Sequence, residues 1–226
     1  MSNFVHLDCH SNFSLLFGGS SIEELVSRCA GLEMEALALT DRDGLYGAVR
    51  FHEAAQEAGI KPIVGCDLEV GDGTRLVLVA ENEEGYRNLC RAITESKLGG
   101  PPLSIEKLAA YREGLFALCG DPCALEPARS VFADRLYAEL ANTGTRDSHR
   151  EAEALIEAAR RLAVPCAASN RVAFADPGAY HLHRTLSAIR TICPITRIPP
   201  GEVADEECYL KPPAEMEELF SVYPYS

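Results

Sequence analysis

Short apolar runs alternate with longer amphipathic stretches along the whole chain. Residues 5–7, 36–40, 61–66, 76–80, 114–118, 136–140 and 165–169 read as strands, being short, aliphatic and bounded by polar or glycine-containing segments. Residues 47–58 carry a helical apolar period, with Gly59 as the C-cap. Residues 83–96, 147–162, 179–191 and 214–220 read as further helices, 147–162 being rich in Ala, Glu and Arg. Ser20 with Glu23, and Ser21 with Glu24, form overlapping capping boxes that open another helix. Residues 98–102 and the proline-rich 194–200 read as loops.

Strands followed by helices predict parallel βα units, six or seven of them, and no linker divides residues 1–226. The expectation is a single α/β barrel rather than an open doubly wound sheet. No glycine-rich phosphate loop follows any strand, which argues the same way. Barrels of this kind do their chemistry at the C-terminal ends of strands. Asp8 and His10, Asp41 and Arg42, Asp67, Asp121, and Asn170 and Arg171 all fall just after predicted strands. That polar set predicts a functional rim, although strand ends are polar wherever loops begin.

The opening segment concentrates the candidate chemistry. His6, Asp8 and His10 alternate, so a strand would turn all three to one face. Nitrogen and oxygen donors at that spacing suit a divalent metal. An ordinary strand end with two histidines fits the spacing equally well. His6 reads as a structural partner of a rim carboxylate. His149 reads as solvated, His52 as a partly exposed helix residue, and His181 and His183 diverge on their helix.

The 226 residues are 47% hydrophobic and 24% charged, an ordinary globular balance. No apolar run is long enough to span a bilayer, and no signal peptide is visible, so a cytoplasmic protein is expected. The nine cysteines are scattered without CxxC spacing and read as reduced thiols. A formal net charge of −13 opposes autonomous binding to a phosphate backbone, so DNA is expected only indirectly, through a partner.

Several blocks are specific enough to compare with a known family. His10-Ser11-Asn12-Phe13-Ser14-Leu15-Leu16, Ala38-Leu39-Thr40-Asp41, Gly59-Ile60-Lys61-Pro62-Ile63-Val64-Gly65-Cys66 and Asn82-Glu83-Glu84-Gly85-Tyr86-Arg87-Asn88-Leu89 occur in order. Ala168-Ser169-Asn170 and Tyr209-Leu210-Lys211-Pro212-Pro213-Ala214-Glu215-Met216 continue the series. Together they resemble the PHP domain (polymerase and histidinol phosphatase), in the version found at the N-terminus of bacterial DNA polymerase III alpha subunits. Residues 10–100 are also similar to the error-prone branch of these C-family polymerases. The resemblance implies a distorted (β/α)7 TIM-like barrel. In intact members it implies a cluster of roughly two or three metals with about nine ligands, which hydrolyses phosphoesters.

Carried over position by position, that ligand set is eroded. The family's opening HxH falls on Asp8 and His10, and its Glu after Gly-Cys falls on Asp67. A later Cys or His position falls near Asp121. Other ligand positions fall on Phe17, Arg42, Arg75, Arg171 and Ala173, none of which ligates a metal. His183 matches a family histidine that is not a ligand. Asp8, His10, Asp67 and Asp121 could hold at most one divalent zinc, manganese or magnesium, weakly, and no cofactor is expected. The arginines are permanently cationic and fork onto carboxylates. Arg42, Arg75 and Arg171 are therefore expected to replace metal charge and to pair with Asp8, Asp41 and Asp67, with His6, Asp41 and Asn170 completing the rim. The resemblance implies a structural, partner-binding module in DNA replication or repair synthesis, docking the polymerase core domains or the proofreading exonuclease subunit. A residual phosphoesterase or 3'-5' exonuclease is the alternative. No Asp-x-Asp cluster of a polymerase palm lies beyond the matched blocks.

Overall fold

The computed structural model describes residues 4–71, 73–98 and 103–223. The loop read at 98–102 lies, past Leu98, outside the described residues. The chain divides into two compact units. The first comprises residues 1–42, 46–63 and 170–218, and the second comprises 43–45, 64–169 and 219–226.

In the first unit, α1 (Ile22–Gly31) buries Ile22, Leu25, Val26 and Cys29, the stripe that a helical period dictates. That stripe packs with Leu37 and Leu39 of β1 (Ala36–Leu39) and with Phe51 and Ala55 of α2 (Ala48–Glu57). Only one of the two expected capping boxes is used. Ser21 caps α1, accepting from the Glu24 amide while the Glu24 carboxylate accepts from the Ser21 amide. Ser20 instead accepts from the Ala175 amide, at 2.9 Å. The same unit carries α6 (Tyr180–Thr191) and most of α7 (Pro213–Phe220).

The segment 5–7 is extended but is not a strand. The Ala38 amide donates to the His6 carbonyl and the Thr40 amide to the Cys9 carbonyl. The Cys9 amide, however, donates to the Thr40 hydroxyl. That side-chain acceptor displaces a backbone one, and what remains is a single bridge from Cys9 to Val172.

In the second unit, β2 (Lys61–Val70, shared with the first) runs into β3 (Thr74–Ala80) through a tight hairpin. Gly71 and Gly73 flank its turn at positive φ. β3 pairs antiparallel with β4 (Leu115–Cys119), and β5 (Leu136–Ala141) and β6 (Cys166–Ser169) follow in parallel. The sheet order is β1-β2-β3-β4-β5-β6, a mixed α/β sheet. The expected run of parallel βα units is thus corrected: no helix separates β2 from β3. The sequence pattern stopped β2 at Cys66 because Asp67 and Glu69 read as loop. α3 (Glu83–Lys97) follows β3 and α5 (Arg146–Leu162) follows β5. Between β4 and β5 lies α4 (Leu125–Phe132), which the pattern missed because Pro127 interrupts it.

Asn82 caps α3 by accepting from the Gly85 amide, and this brings Gly85 against Gly114. A Cβ at Gly85 would lie 1.9 Å from the Gly114 carbonyl oxygen. Gly85→Ala is therefore expected to cost about 2 kcal/mol in urea unfolding. An unchanged midpoint would refute this packing.

Candidate functional site

The polar residues of the first unit gather on the loop after residue 8. Gly18 lets that loop fold back on itself, since a Cβ there would sit 1.8 Å from the Ser11 carbonyl oxygen. The fold brings Ser11 and Ser14 onto Asp41 at the end of β1. Asp41 accepts from the Ser11 amide at 2.7 Å, the Ser11 hydroxyl at 2.7 Å and the Ser14 hydroxyl at 2.6 Å. Burial pushes its pKa up, and these hydrogen bonds oppose the shift. The expected guanidinium partner of Asp41 is thus corrected to hydroxyls and an amide. The folded-back loop explains why: its short serine side chains already fill the acceptor sites of Asp41.

Asp8 accepts from the Thr40 hydroxyl at 2.9 Å and lies 3.3 Å from His10 Nε2. His10 Nδ1 lies 3.4 Å from the Ser14 hydroxyl. Phe17 stands edge-on to both His10 and His183, and the Arg42 guanidinium covers its face at 3.4 Å. An aromatic ring and a cation stacked on it therefore adjoin His10. Arg171 is exposed and held at φ 46°.

His6 is fully buried, but its partner is the Lys211 carbonyl at 3.0 Å rather than a rim carboxylate. A carbonyl only accepts, so Nε2 carries the proton, and Nδ1 finds no hydrogen-bond partner among the described residues. Burial lowers the His6 pKa to about 4. Asn170 donates to the Glu207 and Tyr209 carbonyls and so latches the segment that leads into α7. On that segment Lys211 Nζ is buried between Glu207 (2.5 Å) and Glu215 (2.9 Å), over the Tyr209 ring. His183 has both nitrogens committed. Its Nδ1 donates to the Phe17 carbonyl, and its Nε2 accepts from the Ala204 amide. Burial lowers its pKa as well.

The second unit carries a cluster of its own. In the hairpin register Arg75 lies directly across from Glu69, with Asp67 its diagonal neighbour on the same face. Arg75 donates to the Asp67 carboxylate through Nε at 2.8 Å and to the Asp67 carbonyl through Nη2 at 2.6 Å. Glu69 lies at 3.2 Å and Asp43 at 3.5 Å from the same guanidinium. Asp43 also meets Lys97 at 3.3 Å and accepts from the Glu69 amide. Asp43 and Glu69 were not singled out from sequence; the signal was the hairpin, which places Glu69 opposite Arg75. Asp121 accepts from the Cys123 amide and shapes the turn before α4. His149 is not simply solvated: it stacks on Tyr223 and bonds its hydroxyl at 2.7 Å. Among the described residues no group of three or more His, Cys, Asp or Glu is arranged to hold a metal ion. All nine cysteines are free thiols. No helix among the described residues is long and apolar enough to cross a membrane.

Comparison with known proteins agrees with the fold. Residues 6–164 match the family model described as "PHP domain". The chain is 36% identical over 99% of its length to an error-prone DNA polymerase of Pseudomonas fluorescens, covering 22% of that protein. It is 32% identical over 98% of its length to the DNA polymerase III subunit alpha of Vibrio cholerae, again covering 22%. The chain thus spans about a fifth of the length of these curated relatives. Among solved structures it is similar to an amidohydrolase from Chromobacterium violaceum (TM-score 0.56, 13% identity, 75% of this chain and 87% of that one). It is also similar to a putative metal-dependent phosphoesterase from Bifidobacterium adolescentis (TM-score 0.52, 16% identity, 74% and 86%).

The two buried histidines are expected to be neutral in opposite tautomers. Nitrogen NMR should find neutral His6 protonated at Nε2 and neutral His183 at Nδ1, with His6 still neutral at pH 6. Their folded pKa values lie below the unfolded value of about 6.5. Their contribution to stability is therefore present above that pH and is lost as pH falls, for His6 through about 4. Titration of either ring near pH 6.5 would contradict the assignment.

Proposed function

The chain belongs to the PHP-domain family, and from that premise we propose that it is a non-catalytic, partner-binding module of a DNA polymerase III alpha-like protein. On this reading residues 1–226 form one PHP domain of the distorted (β/α)7 type. The observation that carries the reading is Arg75. Its guanidinium occupies the carboxylates of Asp67, Asp43 and Glu69, supplying the positive charge that a divalent ion gives in a phosphoesterase. Phe17 and Arg42 beside His10 support the same reading, because neither is a metal ligand. The residues present do not fit a multi-metal centre. Multi-metal hydrolysis needs ions that both generate hydroxide and hold the phosphate. A guanidinium does only the second.

The homologous polymerases motivate the proposed partners, namely the polymerase core domains or a proofreading exonuclease. The charge of −13 favours a protein partner over bare DNA. One observation favours the alternative of a residual metal-dependent phosphoesterase. The 3.3 Å between Asp8 Oδ1 and His10 Nε2 suits two donors sharing one ion. That pair falls short of the ligand set of a catalytic zinc site, so the module reading is the conclusion.

Incubation with p-nitrophenyl phosphate and with single-stranded DNA, with manganese added, is expected to give no turnover above a protein-free control. Metal analysis of protein purified without chelator should find less than about one equivalent of zinc or manganese per chain. Turnover that disappears in His10→Ala would overturn the proposal in favour of the hydrolase.

A further inference from the structure

Helix α6 is built inside out. It buries His183 and Ser187 and exposes Leu182 and Ile189. Leu182, Thr185, Ile189 and Ile192 follow one another at helical spacing and form one outward stripe. The exposures are 52% for Leu182, 56% for Ile189 and 92% for Ile192. Two neighbouring segments extend this face. Arg184 donates to the Ile195 carbonyl at 3.2 Å, and Arg190 donates to the Leu16 carbonyl at 3.4 Å. Leu15, Leu16 and Ile195 are exposed as well. Ile192 and Leu16 stand at φ 53° and 57°. That left-handed conformation is costly for a β-branched residue, and glycine would relieve it. Ile192, at 92% exposed, adds little to the packing of this unit.

Arginines gather on this face, and one of them, Arg190, is already paired with Glu202. Residues 177–201 contain Arg184, Arg190 and Arg197 and no Asp or Glu, in a protein of net charge −13. The exposed apolar groups are aliphatic. Single-stranded nucleic acid is held on aromatic platforms, and the one aromatic side chain of α6, Tyr180, is engaged by Arg184 and Phe174. We propose that the outward face of α6, with Leu15, Leu16 and Ile195, docks an acidic amphipathic helix of a protein partner. Its aliphatic anchors would lie on the Leu182–Ile189–Ile192 stripe, and its carboxylates would meet Arg184 and Arg197. This deepens the partner-binding reading above and rests on it.

The probe is a displayed library of random peptides about four helical turns long, selected against the whole chain. Selected peptides are expected to pair Asp or Glu with Leu, Ile or Phe at helical spacing. Their binding, followed by fluorescence anisotropy, should fall by about tenfold or more in Ile189→Asp and in Ile192→Asp. It should be unchanged in Val222→Asp, an exposed apolar position outside this unit. These sites are solvent-exposed, and circular dichroism with urea unfolding checks that each variant remains folded. No enrichment, peptides without an acidic bias, binding indifferent to the α6 variants, or competition by a thymidine oligonucleotide would each overturn the proposal. The broader reading is tested separately, by co-purification of the chain with the remaining domains of a homologous polymerase.

Discussion

Asp43, Asp67 and Glu69 all meet one guanidinium, and like charges gathered round one site repel unless a cation offsets them. Arg75 makes the arrangement tenable. Its planar fork reaches all three acids and the Asp67 carbonyl at once, which a lysine ammonium on a single stem would not reproduce. The hairpin depends on this. Asp67 sits within β2, flanked by Cys66 and Leu68 that turn to the other face and are fully buried. A neighbouring thiol is pushed up in pKa by the same burial and by these carboxylates. Ionised acids are retained in such a strand only when a partner offsets their desolvation.

The first unit solves a similar problem with neutral groups. Asp41 is buried but takes hydroxyl and amide donors from the serines of one tight loop. Phe17 fills the space beside His10, and Arg42 lies on its face. Burial lowers the pKa of both His6 and His183, against the carbonyl hydrogen bonds that raise it. Hydrolytic chemistry needs groups free to change protonation or to bind ions. Here the polar side chains mostly hold one another, and on the proposed reading that is their role.

Much of this was legible before the structure. The helices at 47–58, read from its apolar period, at 83–96, and at 147–162, read from its propensity, were found within a residue or two. The segments that failed share a cause. Pairing beside residues 5–7 is interrupted at Cys9, whose amide donates to the Thr40 side chain, which no periodicity encodes. β2 continues through Asp67 and Glu69, which pair with Arg75 on the next strand of the hairpin, and α4 forms despite Pro127 because the residue lies in its first turn. Proximity of Asp8 to His10 followed from alternation, whereas the carbonyl partner of His6, more than two hundred residues away, had no local signal. Arg75 was singled out as a cation in place of a ligand. Asp67 was among the acids expected to pair with these arginines, whereas Glu69 became apparent only from the register and Asp43 only from the structure.

The most direct measurement is urea unfolding of the wild type and of Arg75→Met at pH 7, each with chelator and with manganese. The account predicts that the variant loses about 3 kcal/mol in chelator, because it leaves clustered carboxylates without their cation. Manganese should restore part of that loss and leave the wild type unchanged, since the arginine already fills the role of the ion. A wild type stabilised by manganese, together with an Arg75→Met variant that loses nothing, would contradict it.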